Sequence, residues 1–220
     1  GTGGAARLAY YFKGIGQLSA AFYQTRLTNM ITPMTNLTAA EAGYDETYPG
    51  YNEEYANGSY LFDKRTNSGA PVTVRSMEIS YTQTLAFLGP AFRRLNVHLN
   101  YTRGYANAIK PMLPPHAASA GFHYTYKKLI LWSNYNWTDD FPTSGTGYSF
   151  RRHRVQIDAG AGWNLGKGYF LALNARNLND APHIHMQRTP RVNGPGWNSA
   201  VLQDYLRIGA VWTCYIKKTF

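Results

Sequence analysis

Val155-Gln156-Ile157-Asp158-Ala159-Gly160-Ala161-Gly162-Trp163-Asn164-Leu165 decides the fold class, because every odd position is apolar and every even one is polar or glycine. A β-strand sends successive side chains to opposite faces, so the segment has one greasy side and one wet side. A helix would spread the same residues around its circumference. The pattern recurs upstream. Leu95-Asn96-Val97-His98-Leu99-Asn100-Tyr101-Thr102 alternates in the same way, as do Ala120-Gly121-Phe122-His123-Tyr124-Thr125-Tyr126 and Met77-Glu78-Ile79-Ser80-Tyr81-Thr82.

Outward from these segments the alternation predicts nine strands, near 4–13, 16–29, 71–86, 93–106, 117–128, 129–140, 151–165, 169–180 and 202–217. Their connections alternate in length. Lys13-Gly14-Ile15-Gly16, Leu88-Gly89-Pro90-Ala91, Lys127-Lys128 and Leu165-Gly166-Lys167-Gly168 are short, whereas 30–70, 107–116, 141–150 and 181–201 are long. Short turns at one end, long loops at the other and strands of about ten residues describe an outer-membrane barrel with its short turns in the periplasm. Aromatic residues flank the strands (Tyr10, Tyr11, Tyr124, Tyr126, Trp132, Trp137, Trp163, Tyr169, Trp212), as expected of belts at the two membrane interfaces. The expected fold is all-β: an antiparallel up-and-down transmembrane β-barrel segment of about nine or ten strands, one domain over 1–220.

Composition agrees. Charged residues are 15% of the 220, against about 25% in soluble domains. Tyr (18) and Gly (21) are abundant, while the mean hydropathy is −0.39, as an apolar outer face and a polar lumen average out. No apolar run approaches the roughly 18–20 residues of a membrane helix. Gly1-Thr2-Gly3-Gly4 lacks the basic and apolar regions of a secretory signal, so a processed or truncated chain is expected. Cys214 is the single cysteine, which excludes an intrachain disulfide. The net charge of +10 is spread over singles and pairs such as Arg93-Arg94, Lys127-Lys128 and Lys217-Lys218, with one denser group, Arg151-Arg152-His153-Arg154. No nucleic-acid-binding pattern surrounds them, so interface anchoring is expected and no nucleic-acid partner. A complete small porin or adhesion barrel would show similar strands, and a soluble carbohydrate-binding β-sandwich alternates too.

Three stretches resemble the C-terminal part of a TonB-dependent receptor barrel. Pro114-Pro115-His116 opens an extended segment, Ala117 to Lys128, that returns directly as Leu129 to Asp140. Arg154 to Leu165, a Gly-Lys-Gly turn and Tyr169-Phe170-Leu171-Ala172-Leu173-Asn174-Ala175-Arg176-Asn177-Leu178-Asn179-Asp180-Ala181-Pro182 resemble the penultimate hairpin, the N-x-x-N-L-x-(D/N) ending being the most specific match. The chain ends in Phe220 after an alternating strand, although Lys218 stands where an aromatic is usual. The resemblance implies twenty-two strands and a plug domain in the whole receptor, neither present here. It therefore implies a C-terminal portion of the barrel in the bacterial outer membrane, with the TonB complex a partner through the missing plug. It further implies energy-coupled import of a large scarce solute: a siderophore or metal chelate, a vitamin or an oligosaccharide.

No G-x-S-x-G, H-E-x-x-H or phosphate-cradling glycine loop occurs, so no enzyme, catalytic residue or cofactor is expected. His98 and His123 fall on polar faces of consecutive strands, where an uncommitted lumen role is the simplest reading. The long loops carry the candidate ligand-binding residues. Tyr44, Tyr48, Tyr51 and Tyr55 lie among Glu41, Asp45, Glu46, Glu53 and Glu54, and their rings suit stacking on sugars or aromatic chelators. Tyr148, the pair His183 and His185, and Trp197 complete the set. In an extended segment the two imidazoles share a face, yet two ligands without a third do not make a metal site. Outer-membrane lipid is an expected partner, and Arg151, Arg152 and Arg154 are placed to meet lipopolysaccharide phosphates or, as the alternative, an anionic ligand.

Overall fold

The computed structural model describes all residues except 14–15, 30, 58–59, 68–69, 108–112, 144–147, 189–197 and 220. Its first eight strands are β1 (Thr2–Phe12), β2 (Gly16–Leu27), β3 (Ile31–Leu37), β4 (Phe62–Asn67), β5 (Val72–Thr84), β6 (Leu95–Ala106), β7 (His116–Tyr126) and β8 (Leu129–Thr138). Then follow β9 (Phe141–Pro142), β10 (Ser149–Arg151), β11 (Arg154–Gly166), β12 (Tyr169–Arg176), β13 (His183–Gln187), β14 (Val201–Leu206) and β15 (Val211–Lys218). Two short helices, α1 (Ala39–Ala42) and α2 (Glu53–Asn57), sit between β3 and β4.

Nine strands form one antiparallel sheet in the order β1-β2-β5-β6-β7-β8-β11-β12-β15, so each large strand pairs only with its neighbour along the chain. This meander is the expected up-and-down topology. Among the described residues it has no Greek-key crossing, which a sandwich would need. The sheet is open, with β1 and β15 at its two ends. The thirteen residues of β11 at about 3.3 Å each, tilted by roughly 45°, rise about 30 Å, the thickness of a bilayer's hydrocarbon core.

The register turns alternation into two continuous faces. One row across seven strands reads Tyr10, Leu18, Tyr81, Leu99, Ala120, Tyr135, Ile157. The row beside it on the opposite face reads Ala9, Ser19, Ser80, Asn100, Ser119, Asn136, Gln156. A slip of one residue at any pairing would mix the two. Exposure follows the split on β2, where Leu18 and Phe22 are 43% and 47% exposed while Ser19 and Ala21 are 4% and 7%. Large apolar residues exposed to this degree suit lipid as the surrounding solvent. The apolar face ends in Gln24 and Arg75, joined at 2.8 Å, which marks its limit toward the long connections.

Small residues on the polar face receive large neighbours. A Cβ on Gly160 would collide with the Trp132 indole, one on Gly162 with the Phe170 ring, and one on Gly121 with the His98 imidazole. Trp132 and Tyr11 therefore do not belong to an interfacial belt, contrary to the sequence expectation. Trp132 pairs with Gly160 and His123, and Tyr11 pairs with Gln17, so both lie on the polar face.

The Asn177 turn ends β12 and clasps β11. Asn177 sits at φ 55°, a left-handed conformation that asparagine tolerates well. Its backbone N–H donates to Asp158 Oδ1 at 2.8 Å. Its Oδ1 accepts from the Ala181 N–H at 2.9 Å and from Arg154 at 3.2 Å, and its Nδ2 donates to the Gly209 carbonyl at 3.2 Å. Beyond it, Asn179 imitates the missing strand: Oδ1 accepts from the Ile157 N–H and Nδ2 donates to the Val155 carbonyl, both at 2.9 Å. A side-chain amide thus satisfies the stretch of β11 that β12 leaves bare.

Several expected boundaries differ: the strand expected from 151 begins at Arg154, with Arg151 in β10, and the one expected to reach 180 ends at Arg176. The turn near Leu88-Gly89-Pro90-Ala91 extends over 85–94 and holds two 3-10 turns, Ala86–Leu88 and Pro90–Phe92. The strand expected at 202–217 is two strands, broken at Gly209, whose φ of 81° favours glycine. β14 leaves the wall to join a second sheet of order β14-β13-β10-β9.

Candidate ligand-binding surface on the long connections

All long connections leave from one end of the large sheet, and three of them, β2–β5, β8–β11 and β12–β15, carry the candidate residues. The connection between β2 and β5 folds on itself. β3 and β4 pair, and α1 opens with a capping box in which the Thr38 N–H donates to Glu41 Oε2 at 2.8 Å while Thr38 Oγ1 accepts from the Glu41 N–H. Gly43 closes that helix at φ 71°. Tyr44 is the hub, its ring centroid 4.9 Å from Phe62, 5.1 Å from Tyr48 and 5.4 Å from Tyr51. The Tyr44 hydroxyl accepts from the Asn52 N–H at 2.8 Å. Tyr55 packs edge-on against Tyr60 at 5.1 Å.

The four tyrosines therefore fall into two roles. Tyr44 and Tyr51 are half-buried in the cluster, while Tyr48 and Tyr55 remain exposed and present ring surface outward. Hydrogen bonds from Thr38 hold the Glu41 carboxyl below its usual range, and those from Thr47 do the same for Asp45. Partial burial, with Glu46 and Glu53 nearby, raises the Tyr51 phenol, so at pH 7 the Glu41 and Asp45 carboxylates are ionised and the Tyr51 ring is neutral.

The second surface is the four-stranded sheet assembled from the β8–β11 and β12–β15 connections. Its register aligns Arg151, His185 and Asp204 across three strands, and the alternation along β13 puts His183 on the same face as His185. His185 Nε2 lies 2.8 Å from Thr143 Oγ1, and its Nδ1 lies 3.4 Å from Asp204 Oδ2. The carboxylate favours a proton on Nδ1, leaving Nε2 to accept from the hydroxyl. Partial burial, then Arg154 and Arg151, lower the His183 pKa, so that ring is neutral at pH 7. Arg151, His183, Ile184, His185, Asp204, Tyr205 and Leu206 line a cavity of about 340 Å³. A guanidinium, two imidazoles and a phenol around apolar walls, with the Asp204 carboxylate turned to His185, suit a hydrogen-bonding solute with an anionic group at Arg151.

The sequence expectations fare unevenly here. His183 and His185 do share a face and a cavity, but among the described residues no group of three or more His, Cys, Asp or Glu gathers to hold a metal ion. Tyr148 adjoins the same sheet, its carbonyl accepting from the Arg188 N–H at 2.8 Å. Trp197 lies outside the described residues. Arg154 is turned to the polar face, where it donates to Gln156, Asn177 and the Ala181 carbonyl, so it does not face lipopolysaccharide. Arg152 pairs with Asp140 at 3.6 Å. His98 and His123 lie on one face one register step apart, opposite Gly121 and Asn96. For Arg151 an anionic ligand was the alternative expectation, whereas Asp204 and Tyr205 in the cavity and Thr143 beside His185 escaped sequence reasoning. The available signal was the alternation in 201–206, which merges with that of β15.

The family profile described as TonB dependent receptor-like, beta-barrel matches residues 4–178. No curated protein matches the chain. Among solved structures, the ferric-catecholate import receptor Fiu from E. coli K12 is similar at a TM-score of 0.51 and 16% identity, over 83% of this chain and 24% of that one. The siderophore receptor PiuA from Acinetobacter baumannii is similar at 0.52 and 17% identity, over 93% of this chain and 27% of that one. The chain thus spans about a quarter of the length of these two proteins.

Proposed function

Because the chain belongs to the TonB-dependent receptor-like β-barrel family, which places it in the bacterial outer membrane, we propose that it supplies wall and outward loops to a receptor for energy-coupled uptake of a large scarce solute. In this reading the large sheet faces lipid on its Leu99–Ile157 side, and the solute is caught at the long-connection end. Energy would come from the TonB complex acting through a plug outside these residues.

The observation that carries the reading is the Arg151-His185-Asp204 row, which converts two long connections into one walled cavity. Among siderophores, vitamins and oligosaccharides, an anionic iron chelate matches the guanidinium and the apolar walls best. Fiu and PiuA are described as receptors of that ligand class. The exposed rings of Tyr48 and Tyr55 favour a sugar as the second reading.

Uptake of labelled ferric catecholate by cells expressing the receptor tests this. Arg151→Ala should weaken binding about tenfold or more through loss of charge-assisted hydrogen bonds, and deletion of residues 41–60 should abolish uptake. Heat-modifiable gel mobility should stay normal in both. Undiminished binding and uptake after both changes would place the ligand site in the lumen or the plug instead.

A further inference from the structure

At the opposite end of the sheet, beneath the β5–β6 turn, the apolar face is not flat. Pro90–Phe92 folds as one 3-10 turn and is tied over the sheet by the Tyr124 hydroxyl, which donates to the Ala91 carbonyl at 3.1 Å. The overhang bounds a groove of about 470 Å³ lined by Ala91, Phe92, Leu95, Val97, Phe122 and Tyr124. Val97 pairs with Phe122 and Leu95 with Tyr124, so the groove's floor is the same face that carries Leu99 and Ile157. Phe87 and Leu88 of the same turn are 61% and 55% exposed, which suits a turn resting against lipid and not against water.

Ala91 also borders a second recess, of about 410 Å³, lined by Pro90, Arg93, Arg94, Thr125, Tyr126 and Lys127. An apolar groove and a basic recess are therefore contiguous. Among the described residues none of Arg93, Arg94 and Lys127 takes part in an ion pair. Lys127 rests over the Tyr126 ring at 5.4 Å. It holds a φ of 52°, a conformation in which asparagine is several-fold enriched, and Lys167 does the same at φ 51° in the other two-residue turn at this end. Cations occupy turn positions that local conformation alone would give to other residues.

We infer that this site binds one anionic glycerophospholipid of the periplasmic leaflet. The phosphate sits at Arg93 and Lys127, with Arg94 behind them, and one acyl chain lies in the groove between Phe92 and Phe122. Charge complementarity selects the headgroup, and the overhang tied down by Tyr124 distinguishes the site from ordinary annular contact. Lipopolysaccharide is excluded by position, since the short turns point to the periplasm.

The receptor, extracted from its outer membrane in mild detergent, is examined by native mass spectrometry after exchange with phosphatidylglycerol or phosphatidylethanolamine. The wild type should retain one phosphatidylglycerol in preference to phosphatidylethanolamine. Arg93→Gln with Lys127→Asn should cut that retention about tenfold, and Val97→Trp, which fills the groove, should cut it comparably. Ile79→Trp on the same face but outside the groove should leave it intact. Both groups of variants are checked for normal heat-modifiable mobility. Because the charge variant alters only turn residues, it preserves a test even where Val97→Trp folds poorly. Equal retention of the two lipids by the wild type, or unchanged phosphatidylglycerol retention in the charge variant, overturns the proposal.

Discussion

Ile157 shows what one residue carries in this wall. It lies in the row with Leu99 and Tyr135 on the apolar face, while its backbone N–H is held by Asn179. It lies about a quarter of the way along β11, so replacing it with Arg should cost about 1–2 kcal/mol, between the midplane and interface values. Urea unfolding in vesicles measures this, and Asn136→Arg, on the other face in the row with Ser119 and Gln156, should cost much less. Asn177 is the polar counterpart. Asn177→Ala removes the partner of Arg154 and of the Ala181 N–H and strains the left-handed backbone, a combined loss of about 3 kcal/mol. Asn177→Gly should recover roughly 1 kcal/mol of it by relieving the strain. Equal losses for the two would mean that the conformation is not what the asparagine supplies.

Elements were legible in proportion to how strongly one face differs from the other. The strands around Leu95–Thr102 and Val155–Leu165 announce themselves because lipid and lumen impose opposite demands on alternate residues. β13 and β14 do not, because loop sheets lie in water on at least part of both faces and tolerate mixed sequences such as His183-Ile184-His185-Met186-Gln187. Their pairing joins connections that are far apart in sequence, so no local pattern reveals the Arg151-His185-Asp204 row. Gly209 was the one local sign that β14 and β15 are separate, and its left-handed φ is not visible in composition. The loop sheet also has its own pH dependence. Burial and Arg154 hold His183 below its ordinary 6.5, so as pH falls through that value the unfolded segment takes up a proton that the folded sheet resists. Stability is lost on acidification and levels off below the lowered pKa. Amide exchange in 183–187, corrected for intrinsic rates, should quicken between about pH 7.5 and 5, while β11 stays protected. His183→Gln should flatten the response.

At the scale of the molecule, two open edges meet a bilayer that leaves no polar backbone unpaired without cost. The N–H and C=O groups along the outer sides of β1 and β15 require partner strands in lipid. The structures of Fiu and PiuA are roughly four times as long as their match to this chain, and similar to it in the wall. The meander has a consequence for the order in which that wall forms. β7 to β8 and β11 to β12 are each joined by two residues, whereas β2 and β5 are separated by residues 28–71. Closing a longer loop loses more chain entropy before any contact is gained, although the penalty grows only as the logarithm of length. The two tight hairpins can zip while the ends of the long excursions are still searching, and each then offers a finished edge to the next strand. Assembly becomes a sequence of local additions instead of one concerted closure. Backbone N–H and C=O groups are therefore satisfied in instalments, so few of them stand unpaired at once when the wall meets lipid.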